Sequence, residues 1–314
     1  MTKRAVIVGI NDYSVIDPTG ASNLRSCVND ANEMYHMLVD AFGFDPTQVF
    51  CYKDRNASSA NILRAVAYIL QNSEAGDVAC FYYSGHGSRF PAVQGRFDSD
   101  RHYEAIIPAS GAPITDFDLF RLADSLNPSF VNFNVILDSC HSGGMHNADD
   151  IVKTRSLRMI QEYIDALLRA LRTLIPMGVC IPPSSTVMNN NIRNVRKGAD
   201  DRLDLDVDPN KTLVQFSKST LISGCRFDEL SWEVSGSNGA AGHGLLTQSF
   251  IDLVNASNFS ITYHDLMTQL NTRVSQKITS QIVPHHPGVT QTPQLMGQMN
   301  RMEEQFLAGW NDSR

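Results

Sequence analysis

Short runs of β-branched and aromatic residues alternate with helical stripes through the first half of this chain, and that alternation limits the fold more than any other feature. Ala5-Val-Ile-Val-Gly-Ile10 carries no polar side chain, as expected of a strand covered on both faces. Leu24, Val28, Ala31, Tyr35, Leu38 and Phe42 then fall at helical spacing. Gln48 to Tyr52 predicts a second strand, and Ser58 or Ser59 opens a helix carrying Ile62, Ala65, Val66, Ile69 and Leu70. Val78 to Tyr83 and Glu104 to Ile107 predict further strands. A helix from Thr115 through Leu126 precedes the strand Phe133 to Leu137. Such alternation implies an α/β fold whose mainly parallel sheet has helices on both faces.

The second half is less regular. From Arg155 to Ile175, apolar residues at Leu157, Ile160, Ile164, Leu167, Leu168, Leu171, Leu174 and Ile175 predict a docked amphipathic helix. Glu162 and Asp165 interrupt the basic face that a membrane-surface helix needs. Pro176 to Asn210 is rich in Pro, Asn and Asp and reads as an exposed linker. Order resumes with a strand at Thr220 to Ser223 and helices near Leu245 to Val254 and Tyr263 to Val274. Met296, Met299, Met302, Phe306 and Trp310 predict a C-terminal helix packed on the body.

Charge and cysteine usage narrow the function classes. With 26 basic and 33 acidic residues the net charge is −7, opposite to the positive field that a general nucleic-acid or anionic-membrane binder needs. The six cysteines, at 27, 51, 80, 140, 180 and 225, form no C-x-x-C pair. Scattered thiols suit a reducing cytoplasm, and Cys27, Cys51, Cys80, Cys180 and Cys225 read as inert core residues. The apolar run after Met1 stops at Asn11, too short for a signal peptide, and no 18-residue apolar run exists. No prodomain is expected before the first strand.

Two segments place reactive side chains where a buried strand enters a small-residue turn: Tyr83-Ser-Gly-His-Gly87 and Asp138-Ser-Cys-His-Ser-Gly-Gly144. Ligands of open α/β sheets bind beyond the carboxyl ends of strands, so His86 and Cys140 should emerge on one edge. Side chains i and i+2 share a strand face, which puts Ser84 with His86 and Asp138 with Cys140. A thiol of ordinary pKa about 8.5 needs an imidazole or a polar turn to be a thiolate at neutral pH. The pair His285 and His286 lacks a third ligand at metal-site spacing and reads as loop surface.

These segments resemble the histidine and cysteine motifs of metacaspases, among the caspase-like peptidases. The likeness extends to Leu24-Arg-Ser-Cys-Val-Asn-Asp-Ala31, to Ser223-Gly-Cys225 and to Gly242-His-Gly-Leu-Leu-Thr247. It implies a caspase-like three-layer α/β/α sandwich. In that fold residues 1–150 are the large-subunit-like segment, 151–211 a helical insert and linker, and 212–314 a small-subunit-like segment completing the same domain. It further implies Cys140 as nucleophile, His86 as its partner, and the backbone amides of Gly87 and Cys140 as oxyanion donors. Asp30, Ser84 and Asp138 would line the pocket for the residue preceding the cut. An acidic pocket selects arginine or lysine there, so the expected partners are protein or peptide substrates bearing those residues. Arg25 is the one nearby cation that could argue for an acidic substrate instead.

Two departures from the metacaspase pattern bear on these expectations. Ser26 stands where glycine is usual, and Tyr103 precedes Glu104 where that family's calcium region carries adjacent acids. Asp98, Asp100 and Glu104 remain as oxygen ligands, or simply as a solvated acidic loop, so no cofactor is required and calcium is left open. Arg193, Arg196, Lys197 and Arg202 make the linker a candidate for self-cleavage. Two other functions compete. One is a catalytically weak scaffold on the same fold. The other is a nucleotide-binding domain suggested by Val8-Gly9, which lacks the G-x-G-x-x-G that a pyrophosphate needs.

Overall fold

A computed structural model describes residues 1–91, 102–126, 130–139, 152–154, 219–226, 228–236, 241–297 and 301–309. The first strands and helices are β1 (Lys3–Gly9), α1 (Cys27–His36), β2 (Val49–Lys53), α2 (Ser59–Gln71) and β3 (Val78–Ser84). Next come β4 (Gly87–Pro91), β5 (His102–Ile106), β6 (Ile114–Thr115), α3 (Asp116–Leu126), β7 (Asn132–Asp138) and β8 (Val152–Thr154). The chain continues with β9 (Ser219–Ser223), β10 (Trp232–Val234), β11 (His243–Gly244), α4 (Leu245–Ala256), α5 (Tyr263–Lys277) and β12 (Gln294–Met296).

Six strands form the central sheet in the order β12-β9-β7-β3-β1-β2. All its pairings are parallel except β12 against β9. The alternation of strand residues sorts two cores. Val6, Val8, Phe81, Tyr83, Val135 and Leu137 face α2 and α3 with Ile62, Val66, Ile69 and Leu122. Ala5, Ile7, Cys80, Tyr82 and Ile136 face α1, α4 and α5 with Met34, Phe250, Leu266 and Leu270. This is the three-layer α/β/α sandwich expected from the sequence. Ser58 caps α2 by accepting from Asn61 N at 3.2 Å, and Thr262 caps α5 from Asp265 N at 3.1 Å, so each helix begins where its sequence offers a hydroxyl.

The chain passes from β1 through α1 to β2 on one side, then returns through α2 to β3 on the other side of β1. The connection leaving β1 runs to one side and that leaving β3 runs on to β7 at the other, so the crevice at the carboxyl ends of β1 and β3 is the topological switch point of the sheet. Gly9 ends β1 under the start of α1: a Cβ there would stand 2.3 Å from Cys27 O, so only glycine allows this approach.

Several expectations need correction. Glu104 to Ile107 lies outside the parallel sheet; β5 pairs antiparallel with β4 and β6 in a separate three-stranded sheet. Alternation in sequence cannot distinguish a strand that joins the main sheet from one that forms a hairpin beside it. Cys51 is exposed, because β2 is the edge strand and has one open face, whereas Cys27, Cys80 and Cys225 are buried as expected. Burial pushes the Cys80 thiol up to about 12, which keeps it unreactive. No helix forms among the described C-terminal residues. Met296 is in β12, and Phe306 is held on an irregular segment by edge contacts with Phe42, Phe250 and Tyr263 at centroid distances of 5.6, 5.3 and 5.4 Å. The apparent helical spacing there comes from an aromatic anchor filling the α4–α5 core. Val152–Thr154 forms a strand against β10, at the start of the stretch read as insert and linker. Cys180, Met299, Trp310 and the helix read at Arg155 to Ile175 lie outside the described residues.

Candidate active site

His86 leaves the end of β3 almost fully buried, at 3% exposure. Two tyrosines from different elements fix its backbone. Tyr13 OH accepts from His86 N at 2.8 Å, and Tyr83 OH lies 2.7 Å from His86 O, to which it donates. The two hydroxyls are 3.2 Å apart, and the Tyr13 ring lies against the imidazole at 4.5 Å between centroids. Burial raises the Tyr13 phenol well above its usual range, so it stays protonated. Gly85 is required by this arrangement: a Cβ would stand 2.5 Å from Tyr83 OH and 2.6 Å from Tyr13 OH.

The imidazole itself is oriented by the loop after β1. His86 Nε2 lies 2.7 Å from Ser22 O. A carbonyl can only accept, so Nε2 carries the proton and Nδ1 is the basic nitrogen of the neutral ring. Asp17 shapes the turn that presents this carbonyl, accepting from Thr19 N at 3.1 Å and Ser22 N at 2.8 Å.

Beside the histidine, the ends of three neighbouring elements bring Asp30, Ser84 and Asp138 together. Ser84 on β3 is in register with Asp138 on β7. Ser84 Oγ donates to Asp30 Oδ2 at 2.9 Å across the start of α1. Both carboxylates are fully buried, a cost of several kcal/mol each unless hydrogen bonds offset it. Those bonds come from the second half of the chain. Gly244 N donates to both Asp30 oxygens, at 3.1 and 3.2 Å. Ser231 Oγ donates to Asp138 Oδ1 at 2.8 Å, and Thr247 supplies Asp138 Oδ2 with its hydroxyl at 2.6 Å and its amide at 3.0 Å. A third buried carboxylate, Glu233, accepts from Arg25 N at 3.0 Å and Ser26 N at 3.3 Å and has a short bond from Ser26 Oγ. It thereby holds the chain entering α1, while Asn11 Oδ1 accepts from the first-turn amides of Cys27 and Val28 at 2.9 and 3.3 Å.

The structure brings Asp30, Ser84 and Asp138 together, with His86 two residues beyond Ser84 and Gly87 beginning β4 immediately after it. Cys140, two residues beyond Asp138, and His141 lie outside the described residues. So do Asp98, Asp100, Arg193, Arg196, Lys197 and Arg202. Glu104 lies on β5 opposite Arg89, and no metal-binding cluster occurs among the described residues. The Arg25 side chain is exposed, and its amide donates to Glu233 Oε1. His285 is on the surface as read, but His286 stacks on Trp232 at 4.9 Å. Sequence reasoning missed Tyr13, Ser22, Ser231, Glu233 and His243, whose roles arise only from long-range packing.

The Caspase domain profile, Peptidase C14, matches residues 2–303, nearly the whole chain. The chain belongs to the Caspase domain family. Metacaspase-4 of Arabidopsis thaliana is 41% identical over 150 residues, 46% of this chain and 34% of that protein. Metacaspase-1 of Schizosaccharomyces pombe is 24% identical over 300 residues, 91% of this chain and 68% of that protein. The chain thus spans about a third of the length of the Arabidopsis relative. Protein GSU0716 of Geobacter sulfurreducens shares this caspase-type fold, with a TM-score of 0.58 and 18% identity, covering 99% of this chain and 100% of that one. No helix of the described caspase domain is long and apolar enough to cross a membrane.

Proposed function

We propose that the protein is a cysteine endopeptidase that cuts peptide bonds after arginine or lysine. The observation that carries this reading is the pair of fully buried carboxylates at the strand ends beside His86: Asp30, which accepts from Ser84 Oγ, and Asp138, the register partner of Ser84 on the neighbouring strand. A guanidinium reaching them gains charge-assisted hydrogen bonds in a low-dielectric site, whereas an aspartate side chain would meet like charge. Arginine is favoured over lysine, since its planar fork can meet two carboxylates.

In the reaction Cys140 passes its thiol proton to His86 Nδ1, and the thiolate attacks the scissile carbonyl carbon, forming a C–S bond and an oxyanion that the backbone amides of Gly87 and Cys140 stabilise. Such donors are typically worth roughly 3 kcal/mol each. The C–N bond breaks as His86 gives a proton to the departing amine, and water then hydrolyses the thioester with His86 as base. Ser22 O, by holding Nε2–H, leaves Nδ1 to carry that proton in both directions.

A peptide-library digest by wild type and Cys140→Ala tests nucleophile and specificity together: cleavage after Arg and Lys is expected, and activity persisting in the variant would sink the mechanism. A scaffold without catalysis would leave Cys140 unlabelled by an arginine-bearing electrophile. Self-processing is expected at Arg193 to Arg202, yielding fragments in wild type that are missing from Cys140→Ala on denaturing mass spectrometry. A strict calcium requirement is not part of this reading. Activation by calcium that is lost in an Asp98, Asp100 and Glu104 triple alanine variant would instead assign a metal site there.

A further inference from the structure

His243 sits on β11 next to Gly244, whose amide binds Asp30, and its ring lies between two carboxylates of α1. Nδ1 is 3.5 Å from Asp30 Oδ1, and Nε2 is 3.6 Å from Glu33 Oε1. A neutral imidazole has one N–H and one lone pair, so one nitrogen would turn its lone pair toward a carboxylate; only the imidazolium satisfies both. The Asn29 amide nitrogen is near both ring nitrogens, at 3.2 and 3.4 Å, but also has Gly242 O as an acceptor at 3.2 Å. The opposing charge is Lys277 at the end of α5, which is paired with Asp252 of α4 at 3.1 Å. His243 itself is 18% exposed while Asp30 is wholly buried, so the imidazole shields the outer side of the pocket carboxylate from water.

We propose that His243 is a specificity-determining residue, an internal cation that competes with the substrate's basic side chain for Asp30 and so makes the preference for arginine weaken in acid. This rests on the pocket reading given above. The hydrogen bond to Asp30, helped by the charges of Glu33 and Asp30 and opposed by burial and Lys277, raises the His243 pKa above its ordinary value near 6.5. The competing charge is therefore present at pH 6 and fades as the pH rises through that raised value. A unit charge one carboxylate, about 8 Å, away from the bound guanidinium alters binding by roughly tenfold at an effective dielectric constant of about 30, between the protein and water limits.

The test measures dissociation constants of two peptides on the Cys140→Ala protein between pH 6 and pH 8.5, one with arginine before the scissile bond and one with its neutral isostere citrulline. Taking the citrulline-to-arginine ratio cancels pH effects common to both peptides, and the comparison with His243→Gln separates His243 from any other charge, His86 included, that acts on arginine alone. For the parent protein the ratio should rise roughly tenfold across this window. With His243→Gln added, it should be flat at the high-pH level. With Glu33→Gln, a half-exposed and conservative change, the rise should shift to lower pH. A flat ratio well above one in the parent, or an unchanged rise in His243→Gln, overturns the role of His243 while leaving the pocket intact. A ratio of one at every pH overturns the pocket reading and this inference with it.

Discussion

Tyr13→Phe removes one oxygen from the centre of the site and should separate positioning of His86 from substrate binding. The lost hydroxyl accepts from His86 N at 2.8 Å and reaches Tyr83 OH and Ile107 O at 3.2 and 3.3 Å. Ile107 O keeps Tyr83 OH at 2.8 Å, so the main deficit is the acceptor for a buried amide. Depriving a buried donor of its partner costs about 1–3 kcal/mol, and the phenyl ring still fills the space, so no cavity term is added. The unfolding free energy should fall by that amount, seen as a lower urea midpoint at unchanged slope. Because the Tyr13 ring also lies against the imidazole, a looser His86 backbone should lower kcat about tenfold while KM stays within twofold, since the hydroxyl touches neither Asp30 nor Asp138. Equal loss through KM would mean that the tyrosine shapes the pocket instead. Wild-type stability together with wild-type kcat would refute the claim that this hydroxyl holds the histidine.

Gly85→Ala should be harsher on activity than on folding, because its Cβ would push both tyrosine hydroxyls, at 2.5 and 2.6 Å, and displace His86; a kcat within threefold of wild type would contradict this. Ser231→Ala deletes a charge-assisted bond to Asp138 and should cost about 1.5–3 kcal/mol by urea unfolding, with no effect indicating that the aspartate is held by Thr247 alone. Asp77 gives a pH test of stability. Burial pushes its carboxyl up, but the amides of Thr2 and Glu74 and the Arg4 guanidinium outweigh this and hold it below its usual value. With the folded pKa depressed, its stabilisation is present above the unfolded value of about 3.9 and is lost as pH falls through the folded one. Wild type should therefore exceed Asp77→Asn in urea midpoint at pH 7, and the gap should close below about pH 4. A gap that widens in acid would reverse the sign of the argument.

What the sequence disclosed divides along physical lines. Strands β1, β3 and β7 were legible because both faces are covered, which leaves unbroken apolar runs, and the helices because a single face is buried at a fixed period. His86 and Asp138 were legible for the same reason: polar residues at the end of an apolar strand have no other place than the sheet edge. Asp30 came from the resemblance and its position in the first turn of a helix. Glu233 carried no such signal, and His243 lay in a segment that carried the resemblance but was given no role there. Each lies on a strand of two or three residues, too short for periodicity, and each acquires its meaning only when β10 and β11 pair and lay their side chains against α1. The hairpin β4 to β6 and the irregular anchor at Phe306 were misread because apolar spacing reports burial and not the element that supplies it.

The same long-range pairing determines what a cut in the linker would do. Asp30 and Asp138 belong to the first part of the chain, but Gly244, Ser231 and Thr247, which offset their burial, belong to the second. Severing the backbone between Arg193 and Arg202 would break none of these bonds. It would also leave β7 and β9 paired along five residues in the middle of the sheet, with α4 and α5 still closing the core over Tyr82 and Ile136. Each piece alone would expose either a sheet face or a pair of uncompensated carboxylates. A cut there would therefore not create the arrangement of Asp30 and Asp138, because the hydrogen bonds that hold these carboxylates form when the intact chain folds.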